Sequence, residues 1–574
     1  MRVSPLPSRV RFPVPIVATA LLMSCLARPT SGPMGSGAAG ATTGAPATKA
    51  PNVLIIVADD MGFSDIGVLG SEIATPNIDR LAESGTLFTR FYTSPTCSPT
   101  RAMLLTGVDN HLVGLGNMEE TLDPAHAGQQ GYEGHLNDDA VTMAEIFRDA
   151  GYQTYMAGKW HLGMEHDQSP HARGFERTFA LLGGGAGHFA DGVGQDVYRT
   201  EPFYRRDGEL VDALPNDFYS TDFFTDSLIA AIEEGDPERP YLAYLAYTAP
   251  HWPLQAPPAK IEAQRGAYAA GYDVVRSERF AALQDAGLVP RAATVPPGGA
   301  PPWESLPEDE RTRSQRTMEV YAAMVEHMDA SIGRLLQTLE ERGESDNTVV
   351  FFMSDNGADG LEFHALNPAF AAWADSFDNS LENIGHPNSF VAYGRGWAHA
   401  GEAPHAGFKG LMTEGGVRSP LVVWAPPWLR GDAPQAARYT HPVTVRDILP
   451  TLLDYGAIQG SGHRLSGASL RPALVQRGAP VHADQPLVME LWGRKAVILD
   501  EWKLVQQPPP AGDGEWHLFH GAEDVSESTD LAGEHPERVA RMIAAYESYA
   551  DANRVIPPTQ PLRLNPPASP APER

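Results

Sequence analysis

Apolar and polar positions alternate along the chain in blocks that predict a sheet with helices on both faces. Short, almost wholly apolar runs predict buried strands at residues 53–57, 153–157, 241–247, 348–353 and 420–424. Longer segments with helical spacing lie between and around them, at residues 77–84, 141–150, 222–233, 317–342 and 445–455. Apolar strands that alternate with helices are typical of a mostly parallel α/β sheet.

Beyond about residue 460 the pattern changes to short alternating runs. Residues 487–491, 496–499 and 502–506 predict an antiparallel meander, and residues 536–552 predict a closing helix. We therefore expect a main α/β domain over residues 51–458 and a smaller α+β subdomain over residues 459–556. Residues 557–574 form a proline-rich tail.

The first 24 residues predict an export signal, because three arginines precede an apolar run at residues 14–23 that is too short to span a bilayer. The run ends at Leu22-Met23-Ser24-Cys25, which resembles a lipoprotein signal with the lipid on Cys25. An ordinary cleaved signal with an incidental Cys25 stays open. Small residues dominate residues 25–50 and predict a flexible linker. We expect the protein in the periplasm or cell envelope.

Composition narrows the possible partners. The formal charge is −29 over 574 residues, which disfavours nucleic acid or an anionic lipid surface. An anionic substrate therefore needs a local basic site supported by metal. The chain has 2 cysteines, Cys25 and Cys97, so the mature domain has no disulfide and Cys97 stands alone.

Polar residues follow four of the predicted strands. Ligands of open α/β sheets bind beyond the carboxyl ends of the strands, so these residues are candidates for a site. Carboxylate and amide oxygens suit a hard cation such as Ca²⁺ or Mg²⁺, whereas histidine and lysine suit proton transfer and anion binding. In strand order they are Asp59 and Asp60, Lys159 and His161, His251, and Asp355 and Asn356.

Cys97 begins a segment that predicts the N-terminus of a helix. Pro99 suits the first turn, and the helix would end near Gly107. Free N–H groups at a helix N-terminus stabilise an anion, and Arg101 lies one turn further on. The string C-x-P-x-R followed by T-G resembles the signature of the sulfatases, in which the cysteine is oxidised to formylglycine.

Further segments match the sulfatase family in the same order along the chain. The resemblance covers about residues 51–455, and residues 516–519 and 530–531 also resemble the family's terminal subdomain. It implies an alkaline-phosphatase-like fold and an arylsulfatase-like sulfuric ester hydrolase. The matching segments are PNVLIIVADD at 51–60, TPNIDRL at 75–81, GKWHLG at 158–163, PHWPL at 250–254, SDNG at 354–357, KG at 409–410 and EGGVRSP at 414–420.

The resemblance also implies roles for the individual residues. One Ca²⁺ would be held by the formylglycine at position 97 and by Asp59, Asp60, Asp355 and Asn356. The hydrated aldehyde would attack sulfur with Asp355 as the base, and His161 would take the second hydroxyl proton to release sulfate. His251 and Lys409 would serve the leaving group, while Lys159 and Arg101 would bind the anionic centre. A formylglycine-generating enzyme is the implied maturation partner.

Two other functions stay open at this stage. A phosphonate monoester or phosphodiester hydrolase of the same superfamily would use the same metal and nucleophile. A non-catalytic binding lipoprotein would result if Cys97 stayed a thiol. The acidic composition favours small sulfate esters over long sulfated polymers as substrates.

Overall fold

The computed structural model describes residues 50–194, 199–296, 299–366, 368–431, 436–458, 464–475, 478, 480–560 and 562. The predicted export signal, Cys25, nearly all of the linker and most of the proline-rich tail lie outside these residues. The division of the chain at residues 458 and 459 stays a prediction. None of the described helices combines the length and the apolar character needed to cross a membrane.

Within the described part of the chain, the main sheet has 11 strands. They are β1 (Asn52–Ala58), β2 (Thr86–Tyr92), β3 (Gln153–Lys159), β4 (Arg177–Leu181), β5 (Tyr204–Arg206), β6 (Glu209–Leu210), β7 (Tyr241–Ala246), β8 (Thr348–Ser354), β9 (Arg418–Trp424), β10 (Ala437–Tyr439) and β11 (Val443–Thr444). Their order is β10-β2-β9-β8-β1-β7-β3-β4-β5-β6, and β11 also pairs with β2.

Parallel pairing brings four strand ends together. β1 lies between β7 and β8, and β3 lies between β7 and β4, all in parallel. The carboxyl ends of β1, β3, β7 and β8 therefore meet at one edge of the sheet. Strands β9, β5 and β6 pair antiparallel with their neighbours, so the sheet is mixed but mostly parallel as predicted.

The sheet separates two apolar cores. Alternate residues of β1 point to opposite faces, so that Leu54 and Ile56 belong to one core and Val53 and Ile55 to the other. The helices are α1 (Pro76–Ser84), α2 (Cys97–Thr106), α3 (Met143–Asp149), α4 (Ser220–Glu234), α5 (Pro258–Ala263), α6 (Tyr272–Asp285), α7 (Glu308–Glu341), α8 (Pro368–Ala374), α9 (Gly394–Gly401), α10 (Glu414–Val417), α11 (Pro427–Arg430), α12 (Ile448–Tyr455), α13 (Arg471–Val475) and α14 (Pro536–Asn553).

A second, antiparallel sheet follows the main one. Its strands are β12 (Leu487–Leu491), β13 (Arg494–Leu499), β14 (Trp502–Gln506) and β15 (Trp516–His520), in sequential order. The three predicted strands of the meander are confirmed, and β15 adds a fourth. Met542 and Tyr546 of α14 pack against Val497 and Leu518 of this C-terminal sheet.

Several described strands and helices were not predicted, and two of the differences, at α7 and β2, have a clear physical cause. Helix α7 begins at Glu308, whereas the sequence predicted a start near residue 317. The prediction began too late because the first turns of this helix are polar and exposed and carry no apolar periodicity. Acidic residues in its first turn favour the helix dipole. Strand β2 was missed because Arg90 interrupts its apolar run, but Arg90 is buried and pairs with Glu501 at 2.6 Å.

Candidate active site

The end of β1 places two acidic side chains at the centre of the edge. Asp59 and Asp60 are 0% and 1% exposed. Asp60 has a φ of 64°, a left-handed conformation that costs energy in a residue with a side chain. Lys159 Nζ donates to both Asp59 oxygens at 2.8 Å. A Cβ at Gly158 would lie 1.8 Å from Ala246 O, so the strand approaches β7 here only with glycine before Lys159.

The end of β8 brings Asp355 and Asn356 to the same place. The Asp60 N–H donates to Asp355 Oδ1 at 3.2 Å, and Asn356 Nδ2 donates to Asp60 Oδ1 at 2.7 Å. Both side chains are fully buried. Asn356 Oδ1 has no hydrogen-bond partner among the described residues. A buried carbonyl oxygen without a donor costs free energy unless a ligand fills the gap.

Helix α2 begins at Cys97, as the position of Pro99 predicts. The Cys97 sulfur lies 3.7 Å from Asp60 Oδ1. Arg101, one turn on, donates from Nε to Asp355 Oδ2 at 2.9 Å and from Nη1 to Lys159 O at 3.0 Å. Arg101 therefore holds the end of β8 against the end of β3, beside the cysteine.

Two further side chains face Asp60, the Lys409 ammonium and the His251 imidazole, and burial lowers the pKa of His251 well below its usual value. Lys409 Nζ lies 2.7 Å from Asp60 Oδ2 and 3.2 Å from Asp359 Oδ2. His251, which follows β7, has Nε2 at 3.5 Å from Asp60 Oδ2. Trp252 donates from its indole nitrogen to Asp359 Oδ2 at 2.8 Å. Asp359 was not among the predicted site residues, although it lies only four residues after Asp355.

His161 lies just beyond β3, in a left-handed conformation with a φ of 57°. Its Nε2 lies 3.1 Å from Glu120 Oε1, and Arg199 Nη1 lies 2.6 Å from the same oxygen. His161 Nδ1 is buried and has no partner within the described part of the chain. Glu120 was not predicted either, because its segment carries no periodic pattern.

Burial and the proximity of other charged groups shift the pKa values of the carboxyl groups at the site. Burial raises the pKa of Asp59 to about 6 and that of Asp60 to about 8, and neighbouring acids add to both effects. Burial also disfavours the charge on Asp355, but Arg101 and Lys159 outweigh it and lower the pKa of Asp355. Burial raises the pKa of Cys97 well above its usual value. A protonated, buried thiol is a poor nucleophile.

The residues present fit a divalent cation. Asp59, Asp60, Cys97 and His251 each offer a ligand atom, and these atoms lie within 4.8 Å of one another. Asp355 and Asn356 adjoin this group through their contacts with Asp60. Raised carboxylate pKa values and an unpartnered amide oxygen indicate a deficit of positive charge, which a cation would relieve.

Histidines outside the predicted site differ in their exposure. His364 lies on the surface with its side chain 74% exposed. Four others are buried: His111, His188, His399 and His405. Of these, His188 supports the site, because its Nε2 bonds the backbone oxygen of His251 at 3.2 Å.

Comparisons with known proteins agree with this geometry. The family model described as Sulfatase matches residues 51–458. An uncharacterised sulfatase of Schizosaccharomyces pombe is 42% identical, over 89% of this chain and 95% of the relative. An arylsulfatase of Klebsiella aerogenes is 39% identical, over 76% and 92% of the two chains. The solved structure of Ps i-CgsB with k-i-k-neocarrahexaose has a similar fold, with a TM-score of 0.64, 24% identity and 90% and 95% coverage.

Proposed function

This chain belongs to the sulfatase family and is a sulfuric ester hydrolase, and we propose that it uses a formylglycine made from Cys97 beside a bound Ca²⁺. The observation that carries this proposal is the position of Cys97. Its sulfur lies at the first residue of α2 and 3.7 Å from Asp60 Oδ1, inside a ring of carboxylates. Such a site offers a cation on one side and helix N–H groups on the other.

The unmodified thiol fits the chemistry poorly, since burial keeps it protonated. A hydrated aldehyde at position 97 would supply two hydroxyls on one carbon. One hydroxyl attacks sulfur as the alcohol leaves, and loss of the proton from the other expels sulfate and restores the aldehyde. The net reaction consumes one water, which rehydrates the aldehyde.

The described residues can perform each proton transfer. Asp355 keeps a low pKa, so its carboxylate can accept the proton of the attacking hydroxyl. His161 Nδ1, which has no hydrogen-bond partner among the residues described, can accept the second proton. His251 and Lys409, which both contact Asp60 Oδ2, would face the leaving-group oxygen.

With a divalent cation bound, the charge of the site would be complementary to that of an anionic substrate. Four carboxylates face three cations here, namely Asp59, Asp60, Asp355 and Asp359 against Arg101, Lys159 and Lys409. When bound, Ca²⁺ would polarise the sulfate oxygens and change the formal charge of the cluster from negative to positive. A sulfate monoester is a monoanion and needs this sign.

An aromatic wall beside the site favours a small aryl ester. The Trp252 ring lies 4.5 Å from the His251 ring and contacts Phe363 and Phe390 edge-on. Phe370 and Phe377 continue the same cluster. Aromatic faces and edges of this kind suit a flat aryl group.

Maturation and export belong to the same proposal. We expect a formylglycine-generating enzyme to act on residues 97–101 before the chain folds, because Cys97 is only 2% exposed in the folded protein. The arginines and apolar run of residues 1–24 support export to the periplasm or cell envelope. Lipid on Cys25 remains one of two outcomes, and the mass of the mature N-terminal peptide distinguishes them.

The proposal is tested on protein made with and without a formylglycine-generating enzyme. Conversion lowers the mass of the tryptic peptide at residues 91–101 by about 18 Da. Converted protein should hydrolyse aryl sulfates, and Cys97→Ala should not. Cys97→Ser is the matched control, because a single hydroxyl can be sulfated once but provides no second proton for release.

The same assay separates the competing functions. Faster hydrolysis of an aryl phosphodiester than of the matching aryl sulfate would favour the phosphoryl alternative. Full sulfate release by Cys97→Ala would overturn the role of residue 97. An unshifted peptide from the native host, without turnover, would support the non-catalytic binding protein.

A further inference from the structure

Asp359 connects two side chains of the leaving-group side of the site. Its Oδ2 lies 3.2 Å from Lys409 Nζ and accepts the Trp252 indole N–H at 2.8 Å. Its Oδ1 accepts the Leu361 N–H at 2.9 Å, which fixes the carboxylate plane. Only 12% of the Asp359 side chain is exposed.

The backbone brings Asp359 and Lys409 into register. The Lys409 N–H donates to Ala358 O at 2.9 Å, so the lysine lies opposite the residue that precedes Asp359. The lysine stem has four rotatable carbons, and its ammonium has no preferred direction without a partner. A carboxylate at 3.2 Å supplies that direction.

The other partner of Lys409 is already shared. Asp60 contacts Cys97, Asn356 and His251 as well as Lys409. Asp60 is also a candidate cation ligand. A bound cation would draw on the same carboxylate and repel the ammonium, whereas Asp359 lies outside the group of candidate ligands.

We propose that Asp359 is a positioning residue that holds the Lys409 ammonium at the leaving-group oxygen. The inference rests on the proposed function, because it requires Lys409 to stabilise the departing alcohol. Asp359 itself does not touch the reacting atoms. Its role is to keep the positive charge in place while the bond between sulfur and the leaving oxygen breaks.

This role makes a specific prediction about leaving groups. Negative charge develops on the leaving oxygen, and a basic leaving group needs the ammonium more than an acidic one does. Displacement of Lys409 should therefore slow the hydrolysis of esters of weakly acidic phenols more than that of other esters. A merely structural defect should slow every ester by the same factor.

The experiment uses converted, metal-loaded, full-length protein and a series of substituted phenyl sulfates. For Asp359→Asn we expect kcat/KM to fall about 3-fold for nitrophenyl sulfate and about 100-fold for unsubstituted phenyl sulfate, within the range of a leaving-group catalyst. The plot of log kcat/KM against leaving-group pKa becomes steeper. Asp359→Glu should restore much of the wild-type slope.

Two controls keep the test specific. Glu362→Gln changes an exposed acid on the same loop, 3.7 Å from Arg395, and should leave the slope unchanged. Lys409→Ala should steepen the slope, and adding Asp359→Asn to it should steepen the slope no further. That non-additivity distinguishes a residue that acts through Lys409 from one that acts alone.

The possible results separate this inference from the proposed function. Equal losses for Asp359→Asn across the whole series, or further steepening in the double variant, would overturn the role of Asp359 while wild-type sulfatase activity stands. Absence of sulfate release from converted wild-type protein would overturn the proposed function itself. A circular dichroism melt shows whether Asp359→Asn is folded, and Asp359→Glu supplies the slope if it is not.

Discussion

Two buried polar clusters in this molecule have similar charges but different bonding. The first is the site around Asp60. The second, here the interface cluster, consists of Asp109, His111, Arg446, Glu490 and Tyr549, and lies where the segments after α2 and β11 meet β12 and α14. In the interface cluster both His111 nitrogens are bonded, to Asp109 Oδ1 and Glu490 Oε2, each at 2.9 Å.

The difference lies in which atoms have partners. Asp109 Oδ2 also accepts from Arg446 at 3.0 Å and from Tyr549 at 2.9 Å. The two acids of this cluster, Asp109 and Glu490, are therefore matched by two basic side chains, His111 and Arg446. At the site, acids exceed cations, and Asn356 Oδ1 and His161 Nδ1 lack partners among the described residues. Buried charge alone therefore does not indicate function. In the interface cluster the unpartnered atom among the described residues is a donor, Arg446 Nε, whereas at the site a buried acceptor, Asn356 Oδ1, lacks a partner beside an excess of acids, which is the arrangement that a cation would fill.

The largest effect is expected from Asp355→Asn, which removes a carboxylate that contacts both Arg101 and the backbone of Asp60. We expect kcat/KM for an aryl sulfate to fall by at least about 10³-fold, because a base and a candidate metal ligand are lost together. Wild-type protein should also melt at a higher temperature with Ca²⁺ than with a chelator. Asp355→Asn should lose that difference.

The control for Asp355→Asn is Asp375→Asn, which changes an exposed acid. It should leave both the rate and the response to Ca²⁺ unchanged. A full Ca²⁺-dependent rise in melting temperature in Asp355→Asn would remove Asp355 from the metal site.

A pair of histidine variants should separate the two clusters. His111→Ala leaves Asp109 and Glu490 buried without their shared cation, and we expect about 3–5 kcal/mol loss in the free energy of unfolding. The folded fraction should keep its kcat within about 2-fold. His251→Ala should do the reverse and lower kcat by about 10²-fold or more with little loss of stability. A catalytic defect in folded His111→Ala would break the comparison.

The two clusters should also respond to pH in opposite directions. Asp109 and Glu490 overcome burial and raise the pKa of His111 to about 9, whereas burial lowers the pKa of His161 to about 4. The folded state binds more protons at His111, so its contribution is complete below about pH 6.5 and is lost as pH rises through 9. At His161 the unfolded state binds more protons, so stability is lost as pH falls from about 6.5 to 4.

For each histidine, the free energy of unfolding should change by about 3 kcal/mol between the pKa of the unfolded state and that of the folded state. Urea unfolding at a series of pH values measures both effects. In a plot of the free energy of unfolding against pH, His111→Gln should reduce the fall at alkaline pH, the alkaline limb. His161→Gln should reduce the fall at acid pH, the acid limb. Unchanged limbs in the two variants would show that other groups carry the pH dependence.

The sequence predicted the strand ends more reliably than the contacts between them. Asp59, His251 and Asp355 follow strands that the apolar pattern marks clearly, and parallel pairing brings them together. Asp359 and Glu120 lie in irregular segments, where no period relates position to direction. Their roles depend on contacts across 50 and 41 residues of sequence, which a pattern of neighbouring residues does not contain.

The interface cluster was not predicted for a similar reason. His111 and Glu490 are 379 positions apart, and they meet only because the C-terminal sheet packs against the main domain. Arg90 of β2 is a related case, since its partner Glu501 also comes from the C-terminal region. Charges that are neutralised by a distant segment look like surface residues in the sequence.

The smallest effect is expected from Glu120→Gln, which tests how the site holds His161. Glu120 Oε1 lies 3.1 Å from His161 Nε2 and places the proton there, so that Nδ1 is the free base. Glutamine keeps an oxygen but removes the charge that raises the His161 pKa.

For Glu120→Gln we expect kcat to fall about 10- to 100-fold with KM unchanged, as for other partners that orient a functional histidine. The acid limb of the kcat profile should move to lower pH, because the neutral imidazole then persists further into acid. Glu119→Gln is the matched control, since Glu119 Oε2 pairs with Arg199 Nη2 at 2.5 Å, on the same guanidinium that Glu120 contacts. A shift of the acid limb to higher pH, or an equal loss in Glu119→Gln, would mean that Glu120 only supports the local fold and does not orient the base.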